Sequence, residues 1–385
     1  MRDFISARTH NIPPSGIRRF FDIVQEMDDV ISLGVGEPDY ATPWVACEAG
    51  IASVEQGQTS YTSNRGLPAL RTEVSRYLGK RFGIQYHAED EMLITTGASE
   101  ALDIAIRAVT DPGDEILIAD PSYVSYGPGV MLSDGVPVRV PCRMEDEFRL
   151  TPDALMEKIT PKSKAVICNF PNNPTGGVMS QQDYRGIADV IIDHDLLLIS
   201  DEIYTEMTYD GEMTSAVQAE GLQERTILIN GFSKAYAMTG WRVAYLCAPK
   251  ELCDAALKIH QYVMLSAPTM SQYAAVGALR NAELDREEMV TEYQMRRNLF
   301  VRGLNRIGLT CHLPRGAFYA FPSIQEFGLS DVEFAEGLLK EQHVAVVPGS
   351  VFGPSGEGHL RCAYAVSRED LREALRRIEA FTASL

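Results

Sequence analysis

Short apolar runs alternate with helical stripes between residues 92 and 247. The runs are MLIT (92–95), EILIA (115–119), VPVRV (136–140), KAVIC (164–168), LLLIS (196–200), TILIN (226–230) and RVAYLC (242–247). Most are apolar at every position, as in strands covered on both faces, rather than alternating as in half-exposed strands. Between the first two runs lies SEALDIAIRAV, in which Ala101, Leu102, Ala105, Ile106 and Val109 form one helical stripe. QDYRGIADVIIDHD (182–195) reads as a second crossover helix. Apolar runs alternating with helix-like segments predict an α/β sheet layered with helices.

Beyond residue 247 the pattern changes. ELCDAALKIHQYV and REEMVTEYQMRRNLFVRGLNRIG are helical, and strands are expected in GAFYAFPSI (316–324), HVAVVPGS (343–350) and HLRCAYAV (359–366). Further helices are expected over 331–341 and 368–382, which makes a smaller α+β unit. The opening segment, with IRRFFDIVQEM and VISLGVGEPD, is separated from the large sheet by helices and is expected to pack back on the C-terminal unit. The division is therefore an N-terminal arm over 1–40, a large domain over 41–280 and a small domain over 281–385.

Length and charge narrow the partners. A chain of 385 residues is long for one core, while 45% hydrophobic and 23% charged residues are ordinary for a globular protein. Basic residues number 35 against 53 acidic, a formal net charge of -18. Nucleic acid and anionic membrane surfaces need a basic footprint and are not expected as partners. Any anionic ligand must instead be held by a few local cations and amides. The first residues carry charges and prolines without an apolar core, unlike a signal peptide, and no run reaches membrane-spanning length. The seven cysteines are scattered without CxxC spacing, as in a cytoplasmic protein with reduced thiols. The seven histidines form no HExxH pair, so no metal is expected.

Chemistry gathers where the strands end, which is where ligands bind in open α/β sheets. TTGAS (95–99) follows the first strand and opens a helix, offering free amides at Gly97, Ala98 and Ser99 to an anion. NFPNNPTG (169–176) follows KAVIC; Asn173 is either a turn residue or an amide aimed into the crevice. DEIY (201–204) follows LLLIS, and a carboxylate directly after an apolar strand needs a cationic partner, whether an arginine or a protonated ligand nitrogen. GFSKAYAMTGWR (231–242) follows TILIN and brings Ser233, Lys234 and Arg242. A lysine at the end of a buried strand is solvated, paired or covalently occupied. A phosphorylated aldehyde with a ring nitrogen, as in pyridoxal phosphate, would use all these groups at once.

The stretch GFSKAYAMTGWRVA resembles the cofactor-lysine signature of class I aminotransferases. NFPNNPTG, SDEIY, SLGVGEPDYATP (32–43), SYTSNRG (60–66) and GAFYAFP (316–322) resemble further landmarks of that family, in the family's order. MDDVISLGVGEPD, DEFRL and VVPGSVFGPSGEGHLR are similar to the prokaryotic aspartate and aromatic subgroup, which includes the N-acetyl-diaminopimelate type. The resemblance implies fold-type I, with a mostly parallel seven-stranded sheet between helices and a smaller α+β domain. It also implies a homodimer using pyridoxal 5'-phosphate in ping-pong transamination between an amino acid, aspartate or aromatic, and a 2-oxo acid such as 2-oxoglutarate.

Residue by residue, the resemblance makes Lys234 the Schiff-base lysine and proton carrier, and Asp201 the partner of the ring nitrogen. Tyr204 and Asn173 become donors to the phenolic oxygen, and Tyr123 the ring stacked on the cofactor. Ala98, Ser99, Ser233 and Arg242 hold the phosphate, helped by Tyr61 from a second subunit. Arg361 clamps the substrate α-carboxylate, with Gly36 beside it and Tyr123 and Asn173 also facing the substrate. Gly231 departs from the family, standing where many relatives carry a serine. The GVG of GVGEPD lacks the third glycine and following helix of a dinucleotide fingerprint. A carbon–sulfur β-lyase would keep the same motifs, and a non-catalytic regulator on this fold is the remaining alternative.

Overall fold

The computed structural model describes residues 2–14, 16, 27 and 29–385. A two-residue strand, β1 (Ile31–Ser32), precedes the main sheet. The seven apolar runs then form β2 (Met92–Thr95), β3 (Glu115–Asp120), β4 (Val136–Pro141), β5 (Ser163–Asn169), β6 (Leu197–Asp201), β7 (Thr226–Gly231) and β8 (Ala244–Cys247). They make one sheet in the order β2-β8-β7-β6-β5-β3-β4. Five strands, β3 to β7, pair in parallel, and β8 runs against both its neighbours, β7 and β2.

Alternation along each strand feeds two cores. Ile116, Ile118, Ile167, Ile199 and Leu246 pack with Ala101, Ala105 and Ile106 of the helix Ala98–Val109. Leu117, Val166 and Leu198 face the other way, onto Tyr184, Ile187 and Ile191 of the helix Gln181–Asp193. That second helix starts at a capping box, in which Ser180 and Asp183 satisfy each other's backbone amides. All these side chains are almost fully buried, which explains the unbroken apolar runs.

The C-terminal strands are shorter than expected: β9 (Tyr319–Ala320), β10 (Val344–Ala345), β11 (Val347–Pro348) and β12 (Leu360–Ala363). GAFYAFPSI is interrupted by Pro322, which has no N–H for a ladder, and by Ala317 at φ 55°. HVAVVPGS divides at Val346, because β10 pairs with β1 whereas β11 pairs with β12 in the three-stranded sheet β11-β12-β9. The helices Asp331–Gln342 and Arg368–Thr382 cover these strands, and the 25-residue helix Glu283–Ile307 contributes Tyr293, Phe300 and Leu304 to the same core.

The opening segment divides, rather than packing wholly on the C-terminal unit. Ile31–Ser32 pairs in parallel with Val344–Ala345, and Leu33 joins the C-terminal core. The helix Ala7–His10 instead lies by the helix Tyr126–Leu132 of the large sheet, where Arg8 pairs with Asp134 at 2.6 Å. Most of IRRFFDIVQEM (17–26) lies outside the described residues. Among the described residues no helix is long and apolar enough to cross a membrane.

Candidate active site

A cavity of about 510 Å³ opens beyond the carboxyl ends of the parallel strands. Gly36, Ala98, Ser99, Tyr123, Asn173, Asp201, Tyr204, Ser233, Lys234, Arg242 and Arg361 all line it. Tyr61 does not; it stands 82% exposed on the outer surface.

Asp201 ends β6, fully inside the protein. Tyr126 donates its hydroxyl to one carboxylate oxygen at 2.8 Å, and the Ile203 amide donates to the other at 3.2 Å. Burial pushes the carboxyl up to about 6, even though both hydrogen bonds and Lys234 oppose that shift. Among the described residues no cation is hydrogen-bonded to it.

Lys234 sits in the loop that joins β7 to β8, reaching the cavity with its ammonium near the rings of Tyr204 and Phe318, 5.8 Å from each centroid. Its amine donates to the carbonyl of Gly36 at 2.6 Å and has no salt-bridge partner among the described residues. Burial lowers it to about 8; Arg361 and Arg242 act in the same direction, while Glu37 and Asp201 oppose them.

The turn after β2 leaves the helix Ala98–Val109 without a side-chain cap. Its first amides therefore face the cavity unsatisfied. Gly97, at φ 81°, has a backbone conformation that favours glycine, and a Cβ there would also displace the Arg242 guanidinium. Arg242 itself donates to the Thr239 carbonyl at 3.0 Å, and the rest of its fork is open. Gly231, where a serine was missed, has a packing reason: a Cβ would lie 2.6 Å from the Cβ of Ala244 on the paired strand β8.

Arg361, on β12, is 2% exposed. It donates to Asn173 Oδ1 at 3.1 Å and to the Gly34 carbonyl at 2.5 Å, while its Nε has no partner. The rings of Tyr319 and Phe352 flank its guanidinium at 4.7 and 4.8 Å. Tyr204 and Tyr319 share a hydroxyl–hydroxyl bond of 2.8 Å, and burial raises both phenols, so each keeps its proton at neutral pH. Asn173 is held by its own amide on Asn169 Oδ1 at 3.0 Å.

Tyr126, Tyr319 and Asn169 also belong to the site, although strand-end reasoning did not single them out. Tyr126 lies three residues beyond the marked Tyr123, and Tyr319 lies inside GAFYAFP, a stretch that resembles a family landmark, so both had a signal nearby.

Among the described residues several groups are thus poised with no ion-pair partner or with donors unused: a buried amine, a buried carboxylate, helix-start amides beside an open guanidinium, and the Arg361 Nε. This donor set fits a phosphorylated pyridine aldehyde together with a carboxylate-bearing substrate.

Comparison with known proteins agrees. The family model for aminotransferase class I and II matches residues 28–378. The chain is 52% identical over 381 residues to YugH of Bacillus subtilis (strain 168), covering 99% of each protein. It is 44% identical over 378 residues to an aspartate aminotransferase of Pyrococcus abyssi, covering 97% of each. The crystal structure of an aromatic aminotransferase from Pyrococcus horikoshii OT3 superposes with a TM-score of 0.91 at 42% identity, covering 95% of this chain and 99% of that one. The chain therefore belongs to the class I and II aminotransferases, enzymes that use pyridoxal 5'-phosphate to move an amino group from an amino acid to a 2-oxo acid.

Proposed function

We propose that this aminotransferase prefers an aromatic L-amino acid as donor over aspartate, with 2-oxoglutarate as the first-choice acceptor. One observation carries the preference. Among the described residues the cavity is lined by three cationic side chains, Lys234, Arg242 and Arg361, and each has a task other than a distal carboxylate. A second cavity, about 540 Å³, shares Ser99, Leu102, Val124 and Ser125 with the first and continues along Ile106, Pro128 and Leu132. An apolar side chain gains by leaving water for such a wall, whereas a carboxylate there would meet, of the described cations, only Arg139, which Asp120 already faces at 3.4 Å. The test adds single amino acids to the cofactor-loaded enzyme without any oxo acid and follows the visible band. Phenylalanine or tyrosine is expected to convert the cofactor at about tenfold lower concentration than aspartate; conversion by aspartate alone overturns the preference.

In this reading Lys234 would hold the cofactor covalently. Asp201 would face its ring nitrogen, and Tyr204 and Asn173 its phenolic oxygen. Tyr123 would stack on the ring, while the amides of Ala98 and Ser99, the Ser233 hydroxyl and Arg242 would take the phosphate. Bound there, the cofactor supplies an electron sink for the electrons released at the substrate α-carbon. Arg361 binds the α-carboxylate through its guanidinium fork, and the two flanking rings, Asn173 and Gly34 fix its orientation beside Gly36. Lys234 Nζ, as a neutral amine, removes the α-proton; its lowered pKa supports that role. Asp201 keeps a negative charge opposite the ring nitrogen, and Tyr126 holds that carboxylate in place. The 2.8 Å bond between the Tyr319 and Tyr204 hydroxyls fixes the Tyr204 phenol in the cavity.

The enzyme works as a homodimer in which Tyr61 reaches the phosphate of the other subunit. Exposed Tyr61, Tyr262, Val263, Met264, Leu265 and Met270 support this. They occupy neighbouring segments, joined where Asn64 donates to the Leu265 carbonyl and Thr269 to the Ser60 carbonyl, both at 2.7 Å. So large an apolar group is unusual on a monomer's free surface. Sedimentation at assay concentration is expected to give a dimer; a monomer with full activity sinks the shared site. Seven free cysteines, six of them buried, support a reducing, cytoplasmic location.

A further inference from the structure

We propose that Asp120 is a positioning residue for Arg361, tying the turn that carries Phe352 to the end of the large sheet. This rests on the reading of Arg361 as the α-carboxylate clamp. Asp120 is the last residue of β3 and is completely buried. One of its oxygens accepts the Ser355 amide at 2.8 Å; the other lies 3.4 Å from the Arg139 guanidinium and has no hydrogen-bond partner. A buried carboxylate is costly to keep unless it holds something in place.

What it holds is the connection between β11 and β12. Those strands pair with Val347 opposite Arg361 and Pro348 opposite Leu360, and the chain between them makes two tight turns, Gly349–Phe352 and Pro354–Gly356. Gly353 joins the turns at φ 130°, and any side chain on it would overlap the Asp120 carboxylate. Two residues past Asp120, the Ser122 amide donates to the Phe352 carbonyl at 3.0 Å. Phe352 is 1% exposed, and its ring lies against the Arg361 guanidinium. The end of β3 therefore grips the turn on both sides of Phe352, and Phe352 sets one face of the clamp. Without the Asp120 grip, the turn and the ring can shift, and Arg361 loses its aim on the substrate while the cofactor-binding groups stay where they are.

The test uses cofactor-loaded Asp120→Ala and follows single-turnover half-reactions of an amino acid and of the amine lacking its α-carboxylate. Half-saturation for the amino acid is expected to rise about tenfold, with the amine reaction changed less than about twofold. The visible spectrum of the bound cofactor should not move. Asp120→Asn, which keeps an acceptor for Ser355, should recover most of the loss. Ser355→Pro, which removes the donor from the turn and leaves β3 intact, should reproduce it should Asp120→Ala fail to fold. Equal losses for amino acid and amine, or no loss for either, overturn the proposal. Arg361→Lys is run beside them: if it does not change the amino acid to amine ratio, the clamp reading itself falls, and the proposal with it.

Discussion

Lys234→Ala lowers the rate of the amino-acid half-reaction by about 10⁴-fold or more, because it removes both the covalent attachment and the proton carrier. The fold should survive, since the Lys234 amine makes one hydrogen bond, to the Gly36 carbonyl. Far-ultraviolet circular dichroism and the visible spectrum check the two halves of this expectation. A variant that retains the wild-type visible band would refute the assignment. The same amine predicts a pH profile. Burial holds Lys234 at about 8, below its usual value, so the nucleophilic neutral form dominates above that pH and is lost below it. Capture of the aldehyde by cofactor-free protein, followed by stopped-flow absorbance, should slow by about tenfold for each pH unit below 8 and level off above it. A profile that stays flat down to about pH 6 would show that Lys234 is not the capturing amine.

Asp201→Asn has the second largest effect, about 10³-fold on the same half-reaction. Asparagine keeps an acceptor for the Tyr126 hydroxyl but carries no charge to face the ring nitrogen. Its effect on stability has the opposite sign. The folded carboxyl titrates near 6 because burial raises it, so the native state binds more protons than the unfolded chain between the usual carboxylate range and pH 6. Stability contributed by this group therefore falls as pH rises through that window, and the cost is fully present above it. The cofactor-free Asp201→Asn protein should melt no lower than wild type at pH 7.5, and gains on the order of 1–3 kcal/mol at most. A lower melting temperature would mark Asp201 as a structural carboxylate.

The large sheet was legible because burial on both faces removes polar residues from a strand, and each of the seven apolar runs became one. The groups at the strand ends were legible for the reverse reason: Asp201 and Lys234 sit where an apolar run predicts no charge. Tyr126 and Tyr319 were not singled out, because a single tyrosine reads as packing until tertiary structure brings its hydroxyl to 2.8 Å from Asp201 or Tyr204. Asp120 looked like the end of a strand before a turn, and its contact with Ser355 spans 235 residues that no local pattern links. Pairing partners were equally hidden in the C-terminal unit. VAVVP is a single run in the sequence, yet its halves serve two sheets because β1 arrives from the other end of the chain. Tyr61 stands exposed on its own subunit, and only the family resemblance marked it.

The reversal of β8 has a consequence for how this enzyme can diverge. Gly231 pairs with Ala244, which closes residues 232–243 into one loop bearing both Lys234 and Arg242. A sheet register thus sets the spacing between amine and phosphate anchor. Lengthening the loop would slide one against the other, whereas the exposed bend at Gly211 and Glu212, between β6 and β7, can take new residues without disturbing either. New specificities therefore have room to arise in the walls of the second cavity and almost none between Lys234 and Arg242.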